Sequence, residues 1–450
     1  MSFFIESLLP SVITGEATVR RSPAGDQGPG GTNEADGADR VGELAPRHLS
    51  ERHDVMTDTS RDETHRGIRA TYAAFIATGF IFASWASRIP QFKEQLGLSA
   101  GQLGLVLLSI AIGSLVALPM AGAIVTRFGS RRTVATLAVL DGAALAVVAL
   151  GYEAGVPVVV LGLVLFGFAQ GGWDVAMNVQ GAVVERRLGR AIMPRFHAGF
   201  SLGTVAGALL SALMVGLGVP VPLHLLVVAA VVAAYVPVAV RSFVPDTEPE
   251  PESEPASVKT SPLLAWTEPR TLLIGLFVLT FAFAEGTSND WASVALIDGH
   301  GTSDTVGTLG FAVVLVAMTA GRWFGPHLLD RYGRAGLLQI MAVTAAAGLL
   351  LFVYAPTVPL AFVGTVFWGL GTALGFPVGM SAAADEPTRA PARVSVVASI
   401  GYCAFLGGPP LVGLLGDVFS VLTALLAVVV AMVVAVLVAP ATKPPATASE

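Results

Sequence analysis

From Gly67 to about residue 440 the sequence is a succession of apolar runs, each near 20 residues long and separated by short polar connections. No other feature constrains the fold so tightly. A run of that length crosses about 30 Å of hydrocarbon as a helix rising about 1.5 Å per residue. Backbone facing lipid must satisfy its hydrogen bonds within the segment, and runs that are continuously apolar rather than alternating exclude a barrel. Twelve spans are expected, near 68–88, 103–125, 133–152, 156–179, 195–216, 221–240, 271–292, 306–328, 336–354, 358–381, 394–415 and 420–440. Charged residues make up 13% of the chain and hydrophobic ones 54%, against about 25% charged in a soluble domain. That excludes a soluble enzyme, and the net charge of −6 excludes a nucleic-acid binder relying on a basic surface. Cys403 is the single cysteine, which excludes a disulfide framework within the chain and a cysteine-cluster metal site. No Gly-x-x-x-x-Gly-Lys-Ser/Thr occurs, and Gly369-Leu-Gly371 lacks the strand–helix context of a dinucleotide loop. No enzymatic activity, cofactor or metal is expected.

Residues 1–66 read as a disordered polar tail, since they cannot bury enough surface to offset their ordering entropy. The short Phe3–Leu9 stretch lacks the basic flank and cleavage site of a signal peptide. Orientation follows from the basic residues. With the tail inside, the cytoplasmic connections receive Arg127, Arg131, Arg132, Arg186, Arg187, Arg190, Arg241, Lys259, Arg270, Arg331, Arg334, Arg389 and Arg393, while the opposite side receives Arg88 and Lys93. That is the positive-inside pattern. An extended, acidic, proline-rich linker over 242–267 separates bundles at 67–241 and 268–441, and 442–450 form a second cytoplasmic tail. Lysine supplies three of 26 basic residues, a bias of GC-rich bacterial genomes, so the expected location is a bacterial cytoplasmic membrane.

The two halves repeat. Trp85-Ala86-Ser87 recurs as Trp291-Ala292-Ser293 and Leu103-Gly104 as Leu309-Gly310, both offset by 206 residues. After the second span comes Gly122-Ala-Ile-Val-Thr126-Arg127-Phe128-Gly129-Ser-Arg131-Arg132, and after the eighth Pro326-His-Leu-Leu-Asp330-Arg331-Tyr332-Gly333-Arg334. Ordered matches of this kind indicate duplication. The loop resembles the signature of the major facilitator superfamily: Gly, three residues, Asp, a basic residue, one residue, Gly, one residue, two basic residues. Thr126 stands where the first copy should have Asp, and Pro326 where the second should have Gly. Gly171-Gly-Trp-Asp174-Val-Ala-Met-Asn178 and Glu285-Gly286 before Asp290-Trp291 are similar to a bacterial branch near the sugar/fucose-permease-like group. The resemblance implies an all-α membrane protein with twelve helices in two pseudo-symmetric six-helix bundles and a solute site between them. It also implies that Gly122, Arg127, Gly129, Arg131, Arg132, Asp330, Arg331, Gly333 and Arg334 act in a latch on the inner gate. The alternative is that these arginines only enforce topology.

Ionisable groups inside spans are expensive and mark function by default. Glu285, between Phe283 and Gly286, is a candidate proton carrier or a structural acid paired with a base. Asp174 in Gln170-Gly-Gly-Trp173-Asp174, with Asn178 one turn on, would hold a polar solute against the Trp173 ring, or pair with Arg127 or Arg131. His197 has the ordinary pKa that suits coupling, or is interfacial. Arg322 would bind an anionic group or form a salt bridge. Arg88 is expected to snorkel to the interface, and Asp141 has no evident partner. The stripes Gly199-Gly203-Gly207 and Gly321-Gly325 are expected where the halves rock against each other.

These features describe a secondary transporter moving a small polar solute by alternating access with proton coupling, its partners a small-molecule solute and the bilayer, the chain a monomer. An efflux antiporter and a non-transporting sensor on the same fold remain open alternatives. Met56-Thr-Asp-Thr-Ser would make a natural second start. Mass spectrometry of the native protein is expected to lack peptides from residues 1–50, and finding them would remove that start.

Overall fold

A computed structural model describes residues 58–189, 192–246, 262–386 and 389–444. The expected tail up to residue 57, Arg190, Lys259, most of the linker and residues 445–450 lie outside them, as do the side chains of Pro326 and Asp330. Among the described residues, twelve helices are long and apolar enough to cross a membrane: α1 (Asp62–Gln95), α2 (Ala100–Phe128), α3 (Ser130–Ala154), α4 (Val156–Leu188), α5 (Met193–Gly216), α6 (Val221–Ser242), α7 (Pro269–Gly299), α8 (Asp304–Gly325), α9 (Arg334–Tyr354), α10 (Val358–Ala383), α11 (Ala392–Val418) and α12 (Val421–Thr442). The protein is a multi-pass helical membrane protein.

Several bounds differ from expectation. The first helix starts at Asp58 rather than after residue 66, because Thr64 and Gly67 are already buried, Gly67 against Val184 and Val244. Helix α4 runs nine residues past 179, to Leu188, which puts Asp174 near its middle rather than towards one end. Helix α1 breaks at Ser87–Arg88 and α10 at Ala373–Leu374.

The duplication read from sequence recurs as packing. Within the first half α1 packs on α4, α5 and α6, α2 on α4, and α3 on α4 and α6; in the second half α7 packs on α10, α11 and α12, α8 on α10, and α9 on α10 and α12. Every pair reappears six helices on. The landmark residues Trp85 and Trp291 are both buried. The halves meet through α2 against α11 and α5 against α8.

The glycine stripes lie elsewhere than expected. Gly203 and Gly207 sit against the Ile76 and Phe80 carbonyls of α1, and Gly321 and Gly325 against α10. They hold each half together and do not lie between the halves. A stripe of small residues permits close approach without naming the partner helix.

Two tight junctions set the loops. Gly129 (φ 80, ψ 155) joins α2 to α3 and Gly333 (φ 69, ψ 163) leads into α9, conformations essentially restricted to glycine. Gly122, by contrast, has nothing within 4 Å of where a Cβ would stand, so it serves no close contact here. Gly129→Ala and Gly333→Ala are each expected to cost about 1–3 kcal/mol and to lower the melting temperature in detergent. Gly122→Ala is expected to leave it unchanged.

Candidate functional site

The central polar group is built around Arg322, and Pro377 helps to build it. Proline has no N–H to offer the carbonyl four residues earlier. In α10 that carbonyl belongs to Ala373, at the break. Arg322 of α8 donates to it through Nε at 3.3 Å. The same guanidinium forms an ion pair with Glu285 of α7, Nη2 to Oε1 at 2.7 Å. Its Nη1 lies 3.5 Å from the Ser201 hydroxyl of α5, at the limit of a hydrogen bond and in the other half. One side chain therefore touches two helices of its own half and one of the opposite half. The Glu285 and Arg322 side chains are 20% and 32% exposed. Solvent or a solute can reach the pair, and an ion pair so placed escapes part of the desolvation cost of a fully buried one.

Of the predicted set, His197 stands within reach of this hub, while Asp174 and Asn178 pair with each other on α4. Asp174 and Asn178 face each other across one turn of α4, Asn178 Nδ2 donating to the Asp174 carbonyl at 2.8 Å and to Oδ1 at 3.1 Å. Asp174 is within Coulombic reach of Tyr402 on α11, in the other half, and not in the latch with Arg127 or Arg131. His197 lies one turn before Ser201 on α5, exposed, its ring edge-on to Phe75. The Arg322 charge also acts on it.

Two members of the α4 cluster do other work. Trp173 is fully buried, so its ring has no open face on which a solute could stack. Gln170 donates to Asp141 Oδ2 of α3 at 2.8 Å. That gives the buried Asp141 the partner that sequence reasoning could not name.

Sequence reasoning missed Ser201, Tyr402, Ala373 and Asn289. Asn289 stands one turn beyond Glu285, its Oδ1 buried without a partner. Pro377 inside an apolar run was the signal for the freed carbonyl. Nothing in the sequence pointed to the others.

The signature loops lie at one end of the bundle, here the proximal end. Arg127 stacks on Phe128 and Arg331 on Tyr332, each 5.5 Å from the ring centroid, while Arg131 and Arg132 are exposed. The Thr126 hydroxyl bonds back to the Gly122 carbonyl. Asp246, beyond α6, accepts from the Ser130 backbone N–H at 2.5 Å and its hydroxyl at 2.6 Å, capping α3. In the second half Arg334 and Arg270 both pair with Asp385, at 2.8 and 2.6 Å. These arginines also donate to the Thr442 and Lys443 carbonyls at the end of α12. In both halves, the segment after the sixth helix returns to the start of the third.

The opposite, distal end carries polar ties between the halves. Gln91 Nε2 donates to Asp304 Oδ2 at 2.8 Å, Lys93 pairs with Asp298 at 2.8 Å, and the Ser99 hydroxyl donates to Asp417 Oδ2 at 2.9 Å. Arg88 does not snorkel. It is 2% exposed and donates to His224 Nδ1 at 3.1 Å, because the break in α1 turns it inward.

The sequence profile of the Major Facilitator Superfamily matches residues 70–338 and 287–450. An uncharacterised MFS-type transporter of Yersinia pestis is 30% identical over 366 residues, covering 79% of this chain and 90% of the other. The nucleoside transporter NupG superposes with a TM-score of 0.68 at 15% identity, over 84% of this chain and 98% of that one. The superfamily transporter FucP, in an outward conformation, gives 0.55 at 15% identity over 83% and 99%. At such identities the structural likeness shows the fold, while the profile and the relative show the family. The chain belongs to the Major Facilitator Superfamily.

The proximal network offers a test that needs no solute. Arg393, 2.5 Å from Glu268, holds that carboxyl below its ordinary value, with the Thr271 hydroxyl and Arg389 adding to the effect. A carboxyl whose folded pKa is lowered stabilises fully above its unfolded pKa, near about 4.3 for Glu, and the contribution is lost as pH falls through the folded value. Melting curves of wild type and Glu268→Gln should differ at neutral pH and draw together as pH falls below the unfolded value. Parallel curves would refute the pairing.

Proposed function

We propose that this superfamily member is a secondary active transporter that carries a small polar solute across a bacterial cytoplasmic membrane by alternating access, coupled to protons. The observation that carries the reading is the Glu285–Arg322 pair, exposed enough to meet a solute and joined to Ser201 of the opposite half. In a transporter of two repeats the solute binds at the repeat interface near the midplane; Glu285 lies mid-way along α7, and Arg322 lies in the second half of the helix that runs from Asp304 to Tyr332. Asp174, Asn178 and Tyr402 supply hydrogen-bonding groups from α4 and α11, suited to a hydroxyl- or amide-bearing solute.

Glu285 suits coupling because its charge decides what Arg322 holds. Ionised, it takes one arm of the guanidinium. Protonated, it leaves Arg322 the neutral Ala373 carbonyl and Ser201 hydroxyl, which tie α10 and the other half to α8. A proton thereby alters the bonding between the halves. An equilibrium shifts only by the differential free energy a ligand or proton has for its two states. Asp174, with no cation among its hydrogen-bond partners, is the second candidate for the proton.

Orientation follows from the arginines of the α2–α3 and α8–α9 loops, which place the proximal end in the cytoplasm. The tied distal end then faces outward, and the structure represents a state closed to the outside. The chain works as a monomer, each half being the other's gate.

Thermal-shift screening against sugars, nucleosides and amino acids would supply a solute for flux assays in proteoliposomes. Wild type is expected to accumulate it when a pH gradient is imposed. Glu285→Gln is expected to keep binding and lose about tenfold or more of gradient-driven accumulation, a change of about 1.4 kcal/mol. Accumulation indifferent to the gradient, or full coupling in Glu285→Gln, would overturn proton coupling through this residue.

A further inference from the structure

The N-terminus of α2 is capped by the other half of the protein. An α-helix begins with N–H groups that have no partner within the helix. In α2 two are met locally, by a capping box: the Ser99 hydroxyl accepts from Gln102 N–H at 3.2 Å, and the Gln102 side chain accepts from Ser99 N–H at 3.0 Å. The carboxylate of Asp417, at the far end of α11, stands over the first turn of α2 against the Gly101 backbone, within electrostatic reach of the Ala100 and Gly101 N–H groups. Asp417 also accepts from the Ser99 hydroxyl at 2.9 Å and feels the charge of Lys93. A carboxylate over a helix N-terminus is held by the partial positive charge there.

The surrounding packing is shaped to admit it. A Cβ on Gly101 would run into the Asp417 carboxylate, one on Gly104 into the Pro409 carbonyl, and one on Gly413 into the Ala100 carbonyl. The pseudo-symmetric contact, α5 against α8, has no such group. There α8 is capped by its own Ser303, and Gly216 of α5 meets only Thr305. The acid is present on one side of the pseudo-twofold alone.

We propose that Asp417 is a positioning residue for transport: the latch that holds the distal end shut by capping α2 from the opposite half, and whose release opens that end. This rests on reading the protein as an alternating-access carrier. When the halves part, Asp417 leaves the α2 N-terminus, and water replaces the carboxylate over Ala100 and Gly101. Asp417 and Ser99 are exposed, as is the Lys93–Asp298 bridge in part; exposed pairs contribute little, and Asp417 differs in also meeting the partial positive charge of the α2 N-terminus.

The test measures the distance between spin labels at Glu94→Cys and Phe419→Cys, in a Cys403→Ser background reconstituted in lipid. Both sites are exposed, and one lies in each half at the distal end. The parent should show one short population. Asp417→Ala should add a longer one holding at least about half of the molecules, a shift of the closed–open ratio by tenfold or more. Asp417→Asn, which can still cap a helix, should shift it less, and Ser99→Ala should shift it in the same direction. Superimposable distributions for the parent and a monodisperse Asp417→Ala would overturn the latch, as would an equal opening by Asp298→Ala. If Asp417→Ala does not fold, unchanged distributions in both Asp417→Asn and Ser99→Ala would overturn it. The distances need no solute. A shift without gradient-driven flux would leave the latch standing and count against the transport reading, while coupled flux with unchanged distances would do the reverse.

Discussion

Hydrocarbon offers no hydrogen bonds, so a backbone group released by a helix inside the membrane must find a partner within the protein. That constraint organises this molecule. Proline at 377 frees the Ala373 carbonyl, and Arg322 takes it. An arginine placed there needs a counter-charge, and Glu285 supplies it. The break in α10, the intramembrane base and the intramembrane acid are therefore one feature seen from three sides. A charged pair is tolerated at that depth because it lines a reachable space and is multiply bonded.

The same accounting explains the helix ends. Asp246 caps α3, Glu185 accepts from the N–H groups of Ile192 and Met193 at the start of α5, and Asp417 accepts from the hydroxyl of Ser99, which itself caps α2. Two of these three acids act within one half and keep it rigid. The third reaches across, so its bond lasts only while the halves touch at the distal end. Rigid halves with a breakable tie between them are what alternation between two packed states requires. Close-packed interfaces switch between discrete arrangements rather than deforming continuously.

Much of the fold was legible because the membrane simplifies the code. Twelve apolar runs had to become twelve helices, and the ordered recurrence of Trp85 and Trp291 marked a duplication that reappears as the same packing pairs six helices apart. The candidate site was legible in part. Glu285, Arg322 and Asp174 stood out because charge inside a span is costly wherever the span lies. Trp173 and Gln170 sat on the right helix, yet one ring is buried and the other amide serves Asp141. Helical period places residues on faces without saying what each face meets. Arg88 was misplaced for a related reason: a two-residue break in α1 at Ser87–Arg88, invisible in composition, turned it from the interface to His224.

The sequence by itself determined the number of spans, the duplication and the identity of the buried charges, because each follows from transfer energies that act locally along the chain. Which helices touch, and hence which charges meet, was decided only by the tertiary structure. Ser201 meets Arg322 across 121 positions of sequence and Asp417 meets Ser99 across 318. Separations of that order are set by how twelve helices pack, and no local propensity carries them.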